Sequence, residues 1–281
     1  MKDKVAQAPM MWRDGGWLEA GSPDARGRAA ALPPSPEEVP VAIVIDGMSQ
    51  AVLMASPHDL QDFATGFALT EGMIAAPEDI TGFETVAVSA QGLGGIEARL
   101  WLKPGLSVGL IERKRSMIGP VGCGLCGVDS IDAALPDIIA VGEGMVLAPE
   151  DVGRAMAALS EGQILRRRTP AIHAAGFWDG QAMVVREDVG RHNALDKLAG
   201  ALARQGIDGR RGAIVMSSRL SVDLVQKAAR IGAGVIIGAS APTELALAWA
   251  EAAGMTLIAR ARGRDFDLYT HPQRIAAKQG Q

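Results

Sequence analysis

From Val39 onward the hydrophobic pattern switches repeatedly between a period of two and a period near 3.6. "VPVAIVIDGMSQAVLMAS" holds two apolar runs on either side of Asp46-Gly47, a dipeptide whose positions both tolerate positive φ, so the segment predicts a β-hairpin. Ser56, Pro57 and Asp59 then supply a capping hydroxyl, a proline for the first helical position and a carboxylate for the dipole. Leu60, Phe63, Ala64 and Phe67 recur at i, i+3, i+4 and i+7, which predicts a helix to about Gly72 with one apolar face on the hairpin. "ETVAVSA" and "IEARLWL" predict two further strands, completing an N-terminal α+β unit over residues 39–118. Within it "LSVGLIERKRSM" predicts a helix ending on Arg113, Lys114 and Arg115. Those cations either complement the helix dipole or keep the following loop electropositive.

From about residue 145 a helix ("PEDVGRAMAALS") precedes "AIHAAGFW" and "QAMVVRE", a second hairpin about Asp179-Gly180. Helices ("RHNALDKLAGALAR", "SVDLVQKAARIGA", "PTELALAWAEAAG") then alternate with strands ("GAIVMSS", "GVIIGAS", "MTLIARA"). Strands separated by helices of this length imply right-handed crossovers and a mostly parallel, helix-covered sheet. The fold class is therefore α/β: a larger C-terminal domain over residues 131–281 with a mostly parallel sheet, plus the smaller α+β domain. Residues 1–38, rich in Pro, Ala, Gly and Arg without periodicity, predict a flexible lead-in.

Composition narrows the class without changing it. With 281 residues, 48% apolar and 21% charged, the chain lies in the globular range, and a formal charge of -4 gives no overall pull towards nucleic acid or anionic lipid. The N-terminus "MKDKVAQAPMMWRDGGWLEAG" has no apolar core of signal-peptide length, and no run reaches the roughly 18 apolar residues of a membrane span. A cytoplasmic protein, with neither nucleic acid nor membrane as partner, is the expectation.

In an open α/β sheet, ligands bind beyond the strand C-termini, where helix N-termini offer unpaired N–H groups. Three such turns are visible: "EDVGRHN" (187–193) with Arg191 and His192, "MSSRLS" (216–221) with Ser217 and Arg219, and "GASAPTE" (238–244) with Ser240. Ser and Thr there are also ordinary helix caps, but three on one edge, two with arginines, fit a phosphorylated ligand. His192 is flanked by Asp188, Arg191, Asn193 and Asp196, and structural and functional roles both stay open for it. His173, in "AIHAAGF", reads as a hydrogen-bonded core residue. "RGRDFDLYTH" (262–271) leaves the last strand with the only tyrosine, either to close over a purine or pterin ring or simply as a chain exit.

The two cysteines of the chain stand together in "GPVGCGLCGVDS", residues 119–130. Cys123 and Cys126 supply two ligands where a structural zinc site needs four, and no second Cys-x-x-Cys or paired His completes it, so no structural metal is expected. Embedding the pair in glycines departs from a dithiol oxidoreductase, whose cysteines sit at a helix N-terminus. Glycines on both sides predict a mobile arm, which suits a thiolate that accepts a persulfide sulfur from one protein and presents it in another pocket.

At these residues the chain resembles the formate dehydrogenase accessory sulfurtransferases, the FdhD/NarQ family. "PVAIVIDGMSQAVLMASPHDLQDFATGFALTEGMI", "CGLCG", "EDVGRHNALDK" and "SAPTELALAWAEAAGMTLIARARGRDFDLYTHPQRI" resemble the family's blocks in order, from about Val39 to Ile275. The resemblance implies a cytidine-deaminase-like α/β/α C-terminal domain and a cytoplasmic homodimer. It implies that sulfur passes from a cysteine desulfurase to the molybdenum bis(molybdopterin guanine dinucleotide) cofactor of formate dehydrogenase. Carried onto matching positions, Cys123 bears the persulfide and Cys126 assists, while Phe266, Asp267, Leu268, Tyr269, Thr270 and His271 line the cofactor site beside Arg191, His192, Ser217, Arg219 and Ser240. The chain departs from the family pattern at Ser218, Asp223 and Pro170, where Gly, Glu and Gly are expected. Two alternatives are a zinc-dependent nucleobase deaminase, which requires His-x-Glu before Pro-Cys-x-x-Cys, and a non-catalytic molybdenum cofactor chaperone. Neither His173 nor His192 has a Glu two residues on.

Overall fold

The structure, a computed structural model, describes residues 10–13, 16–20, 32, 34–90, 93–106 and 137–276. Within the lead-in, β1 (Met10–Arg13) and β2 (Gly16–Glu19) form an antiparallel hairpin that the composition of residues 1–38 does not announce. Trp12 stands directly opposite Trp17, with ring centroids 5.3 Å apart and planes inclined at 70°. An edge-to-face pair of this kind does locally what a hydrophobic alternation does in longer strands.

The Asp46-Gly47 turn, with both residues at positive φ, joins β3 (Val39–Ile45) to β4 (Met48–Ala55) as expected. With β5 (Ile80–Ala90) and β6 (Leu93–Leu102) they form a four-stranded sheet in the order β4-β3-β6-β5, β3 and β6 running parallel. Helix α1 (Leu60–Thr70) lays Phe63, Ala64, Phe67 and Ala68 on Val41, Ile43, Ala98 and Leu100 of this sheet. The helix starts later than the Ser-Pro signal predicts. Asp59, in left-handed conformation at φ 53, is its N-cap, and Ser56 is turned away from it. The helix predicted over 106–117 lies, from residue 107 on, outside the described residues, as does the cysteine loop 119–130.

The larger sheet has the order β12-β11-β10-β9-β7-β8. Its strands are β7 (His173–Trp178), β8 (Met183–Asp188), β9 (Ala213–Met216), β10 (Val235–Gly238), β11 (Thr256–Arg262) and β12 (Asp265–Thr270). The three central strands β9, β10 and β11 are parallel, and antiparallel hairpins flank them, so the sheet is mixed. One face is covered by α2 (Pro149–Gly162), the other by α3 (Arg191–Arg204), α4 (Val222–Ile231) and α5 (Glu244–Ala252). β12 occupies residues that the sequence left open as a chain exit. It is a half-solvated edge strand with little apolar patterning, and the chain reverses into it through Gly263 at φ 58.

The two units meet where α1 lies on α3. Gly66 and Gly200 face each other so closely that a Cβ on Gly200 would sit 1.9 Å from Asp62 O, and one on Gly66 1.7 Å from Asp196 O. Charge crosses the same seam. Asp62 receives Arg186, with Nη2 at 2.7 Å, and Arg204. Lys227 Nζ on α4 reaches Thr70 Oγ1 (3.0 Å), Glu71 Oε1 (2.9 Å) and Asp196 Oδ1 (2.7 Å). Burial pulls the Lys227 pKa down, but Asp196 and Glu71 outweigh it and the net shift is upward. Burial pushes the Asp196 carboxyl up, opposed by Lys227. Because Thr70 Oγ1 (2.6 Å) and Lys227 both donate to it, we take it as a carboxylate at neutral pH. Deepest lies Lys197, 2.7 Å from Asp188, neither side chain exposed. Lys197 Nζ also donates to Ser56 O (2.9 Å), Ser56 N donates to Asp188 Oδ2 (3.0 Å), and Ser56 Oγ accepts from Val189 N (3.2 Å).

Two outcomes follow from this seam. Gly200→Ala forces backbone apart and lowers stability by at least about 1–3 kcal/mol in urea unfolding, whereas Gly94→Ala, with nothing within 4 Å of the added carbon, leaves the midpoint unchanged. Lys197→Met strands the Asp188 carboxylate without its cation and costs about 3–5 kcal/mol by the same measurement.

Candidate functional site

Parallel strands and flanking hairpins bring five segments to one edge of the six-stranded sheet. These are the start of β7 at His173, the turn after β8 into α3, Ser217–Arg219 after β9, Ala239–Ser240 after β10, and the β11–β12 hairpin. The "EDVGRHNALDK" segment passes through this edge, and most of its side chains are consumed in building it. Glu187 accepts from Leu165 N (2.6 Å) and Arg166 N (2.9 Å). Asp188 Oδ1 accepts from Gly190 N (2.8 Å) and Asn193 Nδ2 (3.0 Å), and Asn193 Nδ2 also reaches Met54 O (2.9 Å). Asp196 and Lys197 belong to the seam. Arg191 and His192 remain, on the first turn of α3, whose N-cap Gly190 makes no side-chain cap. The first-turn N–H groups and the positive end of the dipole are thus available to an anion.

Arg191 is half-buried, and its Nε is buried without a hydrogen-bond partner. His192 Nε2 lies 3.4 Å from both Ser221 Oγ and Asp223 Oδ2, and Ser221 Oγ, at the N-cap of α4, makes no cap bond. His173 is not the hydrogen-bonded core residue the sequence predicts. It is half-buried at the edge, and its ring has no hydrogen-bond partner among the described residues. Burial lowers its pKa, and the positive charges of Arg191 and Arg166 lower it further, against Asp188. A neutral imidazole beside two arginines is therefore its state at neutral pH.

Ser217 Oγ accepts from Ala174 N (2.8 Å), tying β7 to β9, and its proton remains to be donated. Arg219 is exposed, and Ser218 Oγ donates to its carbonyl (2.9 Å). The 217–220 turn is stitched to the next one by Leu220 N to Ala241 O (3.3 Å) and Thr243 N to Leu220 O (2.9 Å). Ser240 O accepts from Arg260 N (3.3 Å). Arg260 holds φ 50 at a bulge in β11, a conformation that costs a non-glycine residue roughly 1–3 kcal/mol. Its guanidinium pairs with Asp267 and lies 6.0 Å over the exposed Tyr269 ring.

The segment Phe266–His271 is divided by the sheet. Asp267 sits at the ligand edge with Arg260, half-buried Phe266 packs on the α2 side of the core, and Leu268 pairs with Ile258 further down the strand. Thr270 is buried, donating to Met255 O (2.7 Å) and accepting from Leu257 N (3.0 Å). His271 stands at the opposite edge, its Nε2 2.8 Å from Glu251 O at the end of α5. The structure thus groups Arg191, His192, Ser217, Arg219, Ser240 and Asp267 along one edge, and separates Thr270 and His271 from it. Cys123 and Cys126 lie outside the described residues. Sequence reasoning missed Arg166 and Arg260, although the run Arg166-Arg167-Arg168 ahead of β7 was a visible signal. Among the described residues no three His, Cys, Asp or Glu side chains converge as ligands of one metal ion.

Comparison with known proteins places this geometry in a family. The model of the FdhD/NarQ family matches residues 36–276. A sulfur carrier protein FdhD of Agrobacterium fabrum is 45% identical over 92% of this chain and 93% of its own, and one of Bordetella bronchiseptica is 44% identical over 86% and 87%. A crystal structure from Desulfotalea psychrophila, assigned as a formate dehydrogenase accessory protein, superposes with a TM-score of 0.68 at 25% identity, covering 96% of this chain and 98% of that one. The mixed sheet, the seam under it and the "EDVGRHNALDK" turn are accordingly those of a member of the FdhD/NarQ family, to which this chain belongs.

Proposed function

We propose that this protein carries sulfur from a cysteine desulfurase to the molybdenum bis(molybdopterin guanine dinucleotide) of formate dehydrogenase, with the cofactor held as substrate along the edge described above. The observation that carries the reading is the convergence of Arg191, the uncapped N-terminus of α3 and the Ser217 and Ser240 turns on one sheet edge. That donor set suits the diphosphates of a dinucleotide. The names of the relatives, sulfur carrier and formate dehydrogenase accessory protein, support the rest.

In this scheme the Cys123 thiolate attacks the sulfane sulfur of the desulfurase persulfide. A sulfur–sulfur bond forms on Cys123 and the desulfurase cysteine leaves as thiolate. At the cofactor, Cys126 attacks the Cys123 sulfur, and the terminal sulfur departs with both electrons of the broken bond as sulfide, the form in which molybdenum takes it. The resulting Cys123–Cys126 disulfide is returned to the dithiol by a cellular dithiol reductant. Tyr269 and the bulged Arg260 offer a stacking surface for a ring of the cofactor. No helix among the described residues is long and apolar enough to cross a membrane.

Incubation with a desulfurase and cysteine adds one sulfur atom to the peptide bearing Cys123 and Cys126, read by mass spectrometry, and Cys123→Ala abolishes activation of formate dehydrogenase. Undiminished activation by that variant would exclude Cys123 as the persulfide carrier.

A further inference from the structure

The turn 164–168, between α2 and β7, is mounted on the same edge by a buried carboxylate. Glu187, 6% exposed, accepts from the successive amides of Leu165 (2.6 Å) and Arg166 (2.9 Å), one on each oxygen. Within the turn, Arg168 N (2.9 Å) and Thr169 N (3.0 Å) both donate to Leu165 O. Bonds to a carboxylate are about twice as strong as neutral ones, so the turn is rigidly attached to β8. Its place is fixed by register, since Glu187 pairs with Ala174 and Asp188 with His173.

The mount fixes the backbone of Arg166 beside the site. Arg167 folds back to Glu161 O (2.9 Å), whereas the Arg166 side chain is exposed and has no hydrogen-bond partner among the described residues. Its charge acts on His173 together with that of Arg191. Of the acids at this edge, Asp188 is paired with Lys197, Asp223 lies 3.4 Å from His192, and both oxygens of Glu187 are held by amides. Neither Arg166 nor Arg191 forms an ion pair with an acidic side chain among the described residues, and one buried guanidinium nitrogen on Arg191 has no hydrogen-bond partner.

We propose that Arg166 is a further anion-contacting residue of this site, sharing a diphosphate group with Arg191 and the α3 N-terminus, and that Glu187 is the positioning residue that holds it there. The proposal rests on reading the edge as nucleotide-accepting, and names the part of the nucleotide that this flank takes.

Calorimetric titration of the full chain with GDP, inorganic pyrophosphate and guanosine tests it. The wild type binds GDP and pyrophosphate. Arg166→Gln weakens both by about tenfold or more, the size of one lost charge-assisted hydrogen bond, and leaves guanosine unaffected, while Arg166→Lys restores part of the loss. Glu187→Gln weakens the same two ligands. The His173 ring, one of four histidines in the chain, gives an independent NMR readout: its pKa rises in Arg166→Gln, and rises in the wild type on diphosphate binding. Wild-type affinity in Arg166→Gln for both phosphate ligands would overturn the proposal while leaving the edge as the site. Failure of the wild type to bind either would overturn the proposal and the nucleotide reading together.

Discussion

A lysine and an aspartate with no solvent exposure, Lys197 and Asp188, hold this molecule in its shape. Removing two ions from water costs several kcal/mol each, and their mutual attraction repays this only if the remaining hydrogen bonds are made. Here they are shared between the two units: Gly190 N and Asn193 Nδ2 donate to Asp188 from its own unit, while from the other unit the Ser56 carbonyl accepts from Lys197, the Ser56 amide donates to Asp188 and the Ser56 hydroxyl accepts from Val189 N. Separation of the two units would leave both ions with broken shells. The glycine contact between Gly66 and Gly200 lets the helices come close enough for this to happen, and the Asp62 and Lys227 clusters repeat the arrangement nearer the surface.

The same residues shape the ligand edge. Asp188 Oδ1 fixes Gly190 and Asn193, and so sets where α3 begins; Glu187 fixes the turn beneath Arg166. A short stretch of chain thus divides its work, with Asp188, Asn193, Asp196 and Lys197 turned to the seam and Arg191 and His192 left at the edge. A substitution inward of the edge would therefore alter the proposed ligand site without touching the ligand.

Much of the architecture was legible because its signals are local. The Asp46-Gly47 hairpin, the helices of the larger unit and the three turns at the strand ends follow from periodicity and turn chemistry that neighbouring residues settle among themselves. What was not legible depended on partners far along the chain. Ser56 has the sequence setting of a helix cap, yet its amide bonds a carboxylate 132 positions away. His173 looked like core because its neighbours are apolar, whereas its pKa is depressed by burial and by Arg191 and Arg166. Phe266–His271 reads as one ligand-lining stretch, but an extended strand runs through the depth of the sheet and delivers its ends to opposite edges. β1 and β2 rest on a single tryptophan pair, too short a pattern for periodicity to reveal.

If the buried charges fuse the two units, they unfold together. Hydrogen exchange of the full chain at increasing urea, followed by mass spectrometry on peptides from β3 and β6 and from β9 and β10, measures this directly. Loss of protection in both sheets at one common urea concentration is the predicted result. Exchange of the four-stranded sheet at a clearly lower concentration, with the six-stranded sheet still protected, would contradict it.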